Sequence, residues 1–196
     1  MKQQNSKVLA MAQGALFAAL CYIGFQFFRF DIVAGGGKTA IHFGNAFCVL
    51  AALFLNNPYG ILAGSIGMTI ADLTSGYATS APKTFFLKLC IALIVNLVAH
   101  KIGHIEEKNN KKEIIGWSLL ASICGMGFNV FADPIVSYFY KRYLLHVEAE
   151  LATYIAKIAA FSTFINAVTA IIIAVIAYNA LRPVLEKAGV LKAKTN

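Results

Sequence analysis

Six apolar runs, separated by short polar stretches, fill most of this chain, and no other feature limits its fold as strongly. Of its 196 residues 59% are hydrophobic and only 13% are charged, where a soluble domain carries about 25% charged residues. The runs are too many for a secretory signal. In lipid, only helices and closed barrels satisfy their own backbone. Gly and Pro punctuate the runs and charges cluster between them, which favours helices over the alternating strands of a barrel. The expectation is an all-α integral membrane protein, a single domain over residues 1–196. Its six transmembrane helices fall at about 8–28, 40–55, 59–74, 82–101, 114–133 and 152–181.

The formal net charge of +8 reads as membrane orientation rather than nucleic-acid binding, because the basic residues lie mostly in loops and tails. Lys2, Lys7, Lys101, Lys108, Lys111, Lys112, Arg182, Lys187, Lys192 and Lys194 all fall on the side that holds both termini in a six-helix chain. The positive-inside rule makes that side cytoplasmic. Cys21, Cys48, Cys90 and Cys124 each stand alone in an apolar run, and the histidines show no HxxxH or HExxH spacing. Neither a disulfide frame nor a metal site is expected.

The second and third runs are short. Ala40 to Leu55 spans about 24 Å as a helix and Tyr59 to Leu73 about 22 Å, against a bilayer core of about 30 Å. Joined at Asn56-Asn57-Pro58-Tyr59, they reach one membrane face and stop short of the other. Around that other end gather His42, Asn45, Asp72, Tyr77, Lys83 and Lys88. Asn129 and Asp133, four apart on one face of the fifth helix, fall at matching depth. Polar groups converging from four helices point to a pocket open to the outside.

A lysine as deep as Lys88 costs about 2.5–3.5 kcal/mol unless paired or hydrated. Asp72 is the expected partner, whether as part of a binding site or as a structural ion pair; the alternative is a lysine that snorkels. Pro134 is expected to end the fifth helix, leaving Ile135 to Glu150 as a long amphipathic loop. Asn166, inside the last apolar run, is read either as a pocket residue or as helix–helix glue. Gly35, Gly36, Gly37 and Lys38 form either a mobile gating lid or a flexible connection; the glycines lack the spacing of a phosphate-binding loop. In the first helix Gly14/Ala18 and Ala15/Ala19 are small pairs four apart, suited to close helix approach, either inside the bundle or against a partner.

The motifs themselves carry a resemblance. Ile41-His42-Phe43-Gly44-Asn45, then Ala71-Asp72-Leu73 with Gly76-Tyr77, then Ala81-Pro82 with Thr84, Phe85 and Lys88 resemble the substrate-binding S components of energy-coupling factor (ECF) vitamin transporters. The similarity is to the riboflavin-type S-component family, and within it to the hydroxymethylpyrimidine and vitamin B6 members. Asn45 stands where many relatives carry aspartate. The resemblance implies a six-helix S-component fold that binds a vitamin with high affinity on the outer side. It implies no cofactor in this chain. It implies docking through Ala15 and Ala19 on a scaffold membrane subunit, and two partner ATPases that use the ATP. The substrate-binding set expected from motifs and residue placement together is His42, Asn45, Asp72, Tyr77, Phe85, Lys88, Asn129, Asp133 and Asn166.

Two rival classes are weaker. A membrane-embedded enzyme wants clustered carboxylates or a nucleophile–base pair, whereas Asp72 and Asp133 stand singly on different helices. A self-sufficient carrier usually shows an internal repeat, and none is visible. Tyr77, Phe85 and Tyr138 with Asn45, Asn129 and Asn166 suit a small pyridine or pyrimidine bearing hydroxyl or amine groups. Riboflavin, pantothenate and folate are the alternatives.

Overall fold

Asn57 starts a helix and fixes the first reversal of the chain. Its side-chain oxygen accepts from the backbone N–H groups of Tyr59 (3.0 Å) and Gly60 (3.1 Å), two donors that the first turn cannot satisfy internally. Pro58 takes the first helical position, where a missing N–H does no harm. The computed structural model describes residues 2–34 and 37–190. They form α1 (Lys2–Gln26), β1 (Arg29–Ala34), β2 (Gly37–His42), α2 (Gly44–Phe54), α3 (Pro58–Thr74), α4 (Ala81–Asn96), α5 (Lys111–Phe139) and α6 (Ala149–Lys187).

Four stretches are long and apolar enough to cross a membrane: Lys7–Gln26, Ala78–Ile102, Lys111–Leu144 and Ala149–Lys187. The helix α2 has 11 residues, about 16 Å, and every residue but Phe47 is buried. It is the hub of the apolar core, which joins Cys48, Val49 and Leu53 to Met68, Ile91, Val95 and Met126. A helix apolar on all sides is what such a central position demands.

The carbonyls left over at the end of α2 are satisfied from outside it. Asn96 Nδ2 donates to Ala52 (3.4 Å) and Leu55 (3.3 Å), and His100 Nε2 bonds the Ala52 carbonyl at 2.9 Å. His100 Nδ1 in turn meets Glu106 at 2.8 Å, and Asn56 Nδ2 donates to the same carboxylate at 2.9 Å. This network closes the end of the bundle opposite the β-hairpin.

The structure departs from the sequence expectations in three places. The first connection is an antiparallel β-hairpin, Arg29 opposite His42 through Ala34 opposite Gly37, so the helix expected from residue 40 begins at Gly44. The His42 N–H bonds Asn166 Oδ1 at 2.8 Å and Asn166 Nδ2 donates to the Ala40 carbonyl at 2.9 Å; these bonds hold the strand extended. Gly35 and Gly36, the centre of the expected lid, lie outside the described residues.

Pro134 does not end α5, which runs on to Phe139 and a π-helical turn at Tyr140–Leu144. Proline is tolerated inside membrane helices when neighbours re-satisfy the chain. Here Lys83 Nζ grips Asp133 and Ser137, one on each side of the proline, both at 2.7 Å. The expected loop from Ile135 to Glu150 is therefore mostly helix.

Candidate functional site

At the hairpin end the helices line a partly open polar cavity of about 90 Å3. Asn45 enters it from the first turn of α2, Asp72 from the last turns of α3, Lys88 from α4, Asn129 and Asp133 from α5, and Asn166 from α6. His42, from β2, and Tyr77, from the α3–α4 connection, complete the wall. Eight of the nine residues expected from sequence thus line one space. The exception is Phe85, which lies about 100° round the helix from Thr84 and sets its ring edge-on against Phe86 at 5.6 Å. Tyr138 is likewise outside, edge-on to Phe139 at 5.4 Å.

These residues divide by what their polar atoms already hold. Asp133 is committed: one oxygen takes Lys83, the other the Thr163 hydroxyl at 2.7 Å. Asp72 accepts the Thr84 hydroxyl. Asn166 spends both amide atoms on β2, which makes it a clamp between helix and strand. The Asp72–Lys88 pair expected from sequence does not form: among the described residues no carboxylate oxygen comes within 4.0 Å of Lys88 Nζ, and Lys83 of α4 pairs with Asp133 instead.

Other atoms are left open. His42 Nδ1, Asn45 Oδ1 and Asn129 Oδ1 are buried without a hydrogen-bond partner, and both asparagines are only 2% exposed. Lys88 is 8% exposed, and its ammonium makes no hydrogen bond or ion pair among the described residues. Buried polar groups are nearly always satisfied, so several orphans in one cavity mark a place built for something else to bond.

The hairpin fastens over this cavity. The Tyr77 hydroxyl donates to Asp31 at 2.8 Å and to the Thr39 carbonyl at 3.1 Å. Arg29 (3.2 Å) and Lys38 (3.1 Å) flank Asp31, and the Lys38 ammonium sits 4.4 Å from the centre of the Tyr77 ring. Burial opposes the Asp31 charge, but the Tyr77 hydroxyl, Lys38 and Arg29 outweigh it and hold the carboxyl below its usual range. Burial, then the bond to Asp31, pushes the Tyr77 hydroxyl up. Thr39 and Ser162 hydroxyls, 2.8 Å apart, tie β2 to α6.

Residues not foreseen also line the space: Phe25, Thr84, Ser137, Lys141, Ser162 and Thr163. The signal for Ser137 and Lys141 was the four-residue spacing that continues Asn129 and Asp133 along α5, hidden by the expectation that Pro134 ends the helix. Ser162, Thr163 and Asn166 form a similar stripe on α6.

A second surface feature lies on the seam of α1 and α3. A Cβ built at Gly67 would fall 2.2 Å from the Ala18 carbonyl, and one at Gly14 would fall 2.7 Å from Tyr59 Cβ. Gly14 and Ala18 therefore serve contact within the bundle. Ala15 and Ala19 stay exposed and line an apolar groove of about 520 Å3.

A polar chamber near one end of an apolar helical bundle defines a membrane-embedded small-molecule-binding protein. The family model described as ECF-type riboflavin transporter, S component, matches residues 5–183, and the chain belongs to that family. It is an integral membrane protein and the substrate-binding subunit of a transporter, not an enzyme. Membership implies a vitamin substrate and an ECF scaffold and ATPase module. No curated protein and no solved structure gives a match.

Proposed function

We propose that this chain captures a small heteroaromatic vitamin, a pyridine or pyrimidine such as a vitamin B6 form or hydroxymethylpyrimidine, in the chamber at the hairpin end. All six helices lie in the bilayer region with both termini cytoplasmic, so the chamber faces outward. Delivery inward follows docking of the Ala15/Ala19 groove on the scaffold subunit, whose two ATPases supply the ATP hydrolysis. One observation carries the reading: His42, Asn45 and Asn129 present buried, unpartnered polar atoms to a single cavity. A ring with hydroxyl or amine groups supplies what those atoms lack.

Size supports one ring over three. Roughly 150 Å3 admits benzene to an engineered core, so a chamber of about 90 Å3 needs modest side-chain movement for a pyridine. A flavin needs wholesale opening. Riboflavin is nonetheless the second reading, favoured by the description of the family model. Mass analysis of the ligand released on denaturing the purified protein tests both. A pyridine or pyrimidine vitamin is the expected result; a flavin establishes the second reading, and a lipid or nothing, together with no vitamin binding in calorimetry, rejects both.

A further inference from the structure

The cavity is built with more positive charge than its own carboxylates neutralise. We propose that the ligand carries an acidic group, a carboxylate or a phosphate, and that the Lys88 ammonium is its counter-charge. This rests on the reading of the chamber as the vitamin site. Four lysines, Lys38, Lys83, Lys88 and Lys141, line the cavity against two aspartates, Asp72 and Asp133. Lys83 takes Asp133, and Lys38 takes Asp31 on the hairpin, which Arg29 shares. Asp72 is turned to Thr84. No carboxylate oxygen lies within 4.0 Å of Lys88 Nζ among the described residues. A buried cation without a partner is unfavourable, and an ammonium has three hydrogens to donate and nothing to accept. What it needs from a ligand is an acceptor, and an ionised one makes the stronger bond. The unpartnered amide oxygens of Asn45 and Asn129 are left to accept from the remainder of the ring.

The test uses the full chain in detergent and chemically matched probes: nicotinate with nicotinamide, pyridoxine phosphate with pyridoxine, hydroxymethylpyrimidine phosphate with hydroxymethylpyrimidine, and riboflavin phosphate with riboflavin. Calorimetry should find that the tightest binder is the anionic member of its pair, by about tenfold or more. Lys88→Met should erase that preference. The same substitution should raise the melting temperature of the empty protein, because it removes an unpaired buried charge. A neutral member that binds best, or anion affinity unchanged in Lys88→Met, overturns the acidic group and leaves vitamin binding standing. A Lys88→Met protein that melts lower or does not fold also overturns it, since Lys88 then serves the fold. Failure of every pair to bind rejects the vitamin site itself, and this inference with it.

Discussion

The Lys83 ammonium lies 2.7 Å from Asp133 Oδ1 and joins α4 to α5 within the chamber wall. Both side chains are largely buried, and Ser137 completes the coordination of the lysine. Losing one partner of such a pair leaves an uncompensated buried charge. Lys83→Met should therefore destabilise the protein by about 3–5 kcal/mol, read from an unfolding titration in mixed micelles. Replacing both, as Lys83→Met with Asp133→Leu, should recover most of the loss. A single substitution costing less than about 1 kcal/mol, the worth of an exposed pair, would show that the pair does not hold the helices.

Asn129 and Asn166 sit in the same wall and should behave oppositely. Asn129 Oδ1 has no partner among the described residues, so Asn129→Ala should leave stability nearly unchanged and weaken vitamin binding by about 1–3 kcal/mol. Asn45→Ala should do the same. Asn166 holds the His42 N–H and the Ala40 carbonyl. Asn166→Ala orphans both and should cost stability first, about 1–3 kcal/mol for each group left unsatisfied. Equal stability losses for Asn129→Ala and Asn166→Ala would remove the distinction drawn between binder and clamp.

The hairpin's attachment should depend on acid. The folded-state pKa of Asp31 is depressed, so its contribution is fully present above the ordinary aspartate value of about 3.9. It is lost as pH falls through the lower folded value. Tyr77→Phe removes the hydroxyl that bridges Asp31 and the Thr39 carbonyl, and should raise hydrogen exchange at Ile32 and Ile41 at neutral pH. Asp31→Asn should abolish the acid dependence of that exchange. Exchange that is identical in wild type and Tyr77→Phe would mean that the hairpin is held by its backbone, Asn166 and Ser162 without help from Tyr77.

How much of this was legible beforehand depended on which signal dominated each stretch. Apolar runs, caps and charge clusters gave the helices because burial and backbone satisfaction leave few other options in lipid. Pro134 misled because a proline rule drawn from water was applied to a membrane helix that runs on through the proline. The hairpin was readable too: Ile32-Val33 and Thr39-Ala40-Ile41 are β-prone runs on either side of glycines. Its neighbouring apolar run was long enough to absorb β2 into a helix on paper.

In the chamber, residue identity and depth were legible, whereas pairing was not. Depth along a helix follows from 1.5 Å per residue, so Asn45, Asp72, Lys88, Asn129 and Asp133 could be gathered without coordinates. Which cation meets which carboxylate depends on rotation about each helix axis. Lys83 and Lys88 lie about 7.5 Å apart along α4 but about 140° apart around it, and that rotation, invisible in the sequence, pairs Asp133 with Lys83 and leaves Asp72 without Lys88.

The two small pairs of α1 separate binding from transport. Gly14 and Ala18 face α3, where added atoms meet Tyr59 and the backbone contact of Gly67 with Ala18. Ala15 and Ala19 are exposed in an apolar groove. Overpacking a filled interface costs about 1–3 kcal/mol, so Gly14→Val should lower the melting temperature. Ala15→Trp and Ala19→Trp add their bulk to open space and should leave both melting temperature and vitamin affinity near wild type. If the groove seats the scaffold subunit, the indole holds the two helices apart, and these variants should lose co-purification with the scaffold and ATPases together with ATP-dependent uptake. Normal complex yield and uptake in both tryptophan variants would reject the docking face, while a matching fall in stability would place Ala15 and Ala19 in the bundle's own packing after all.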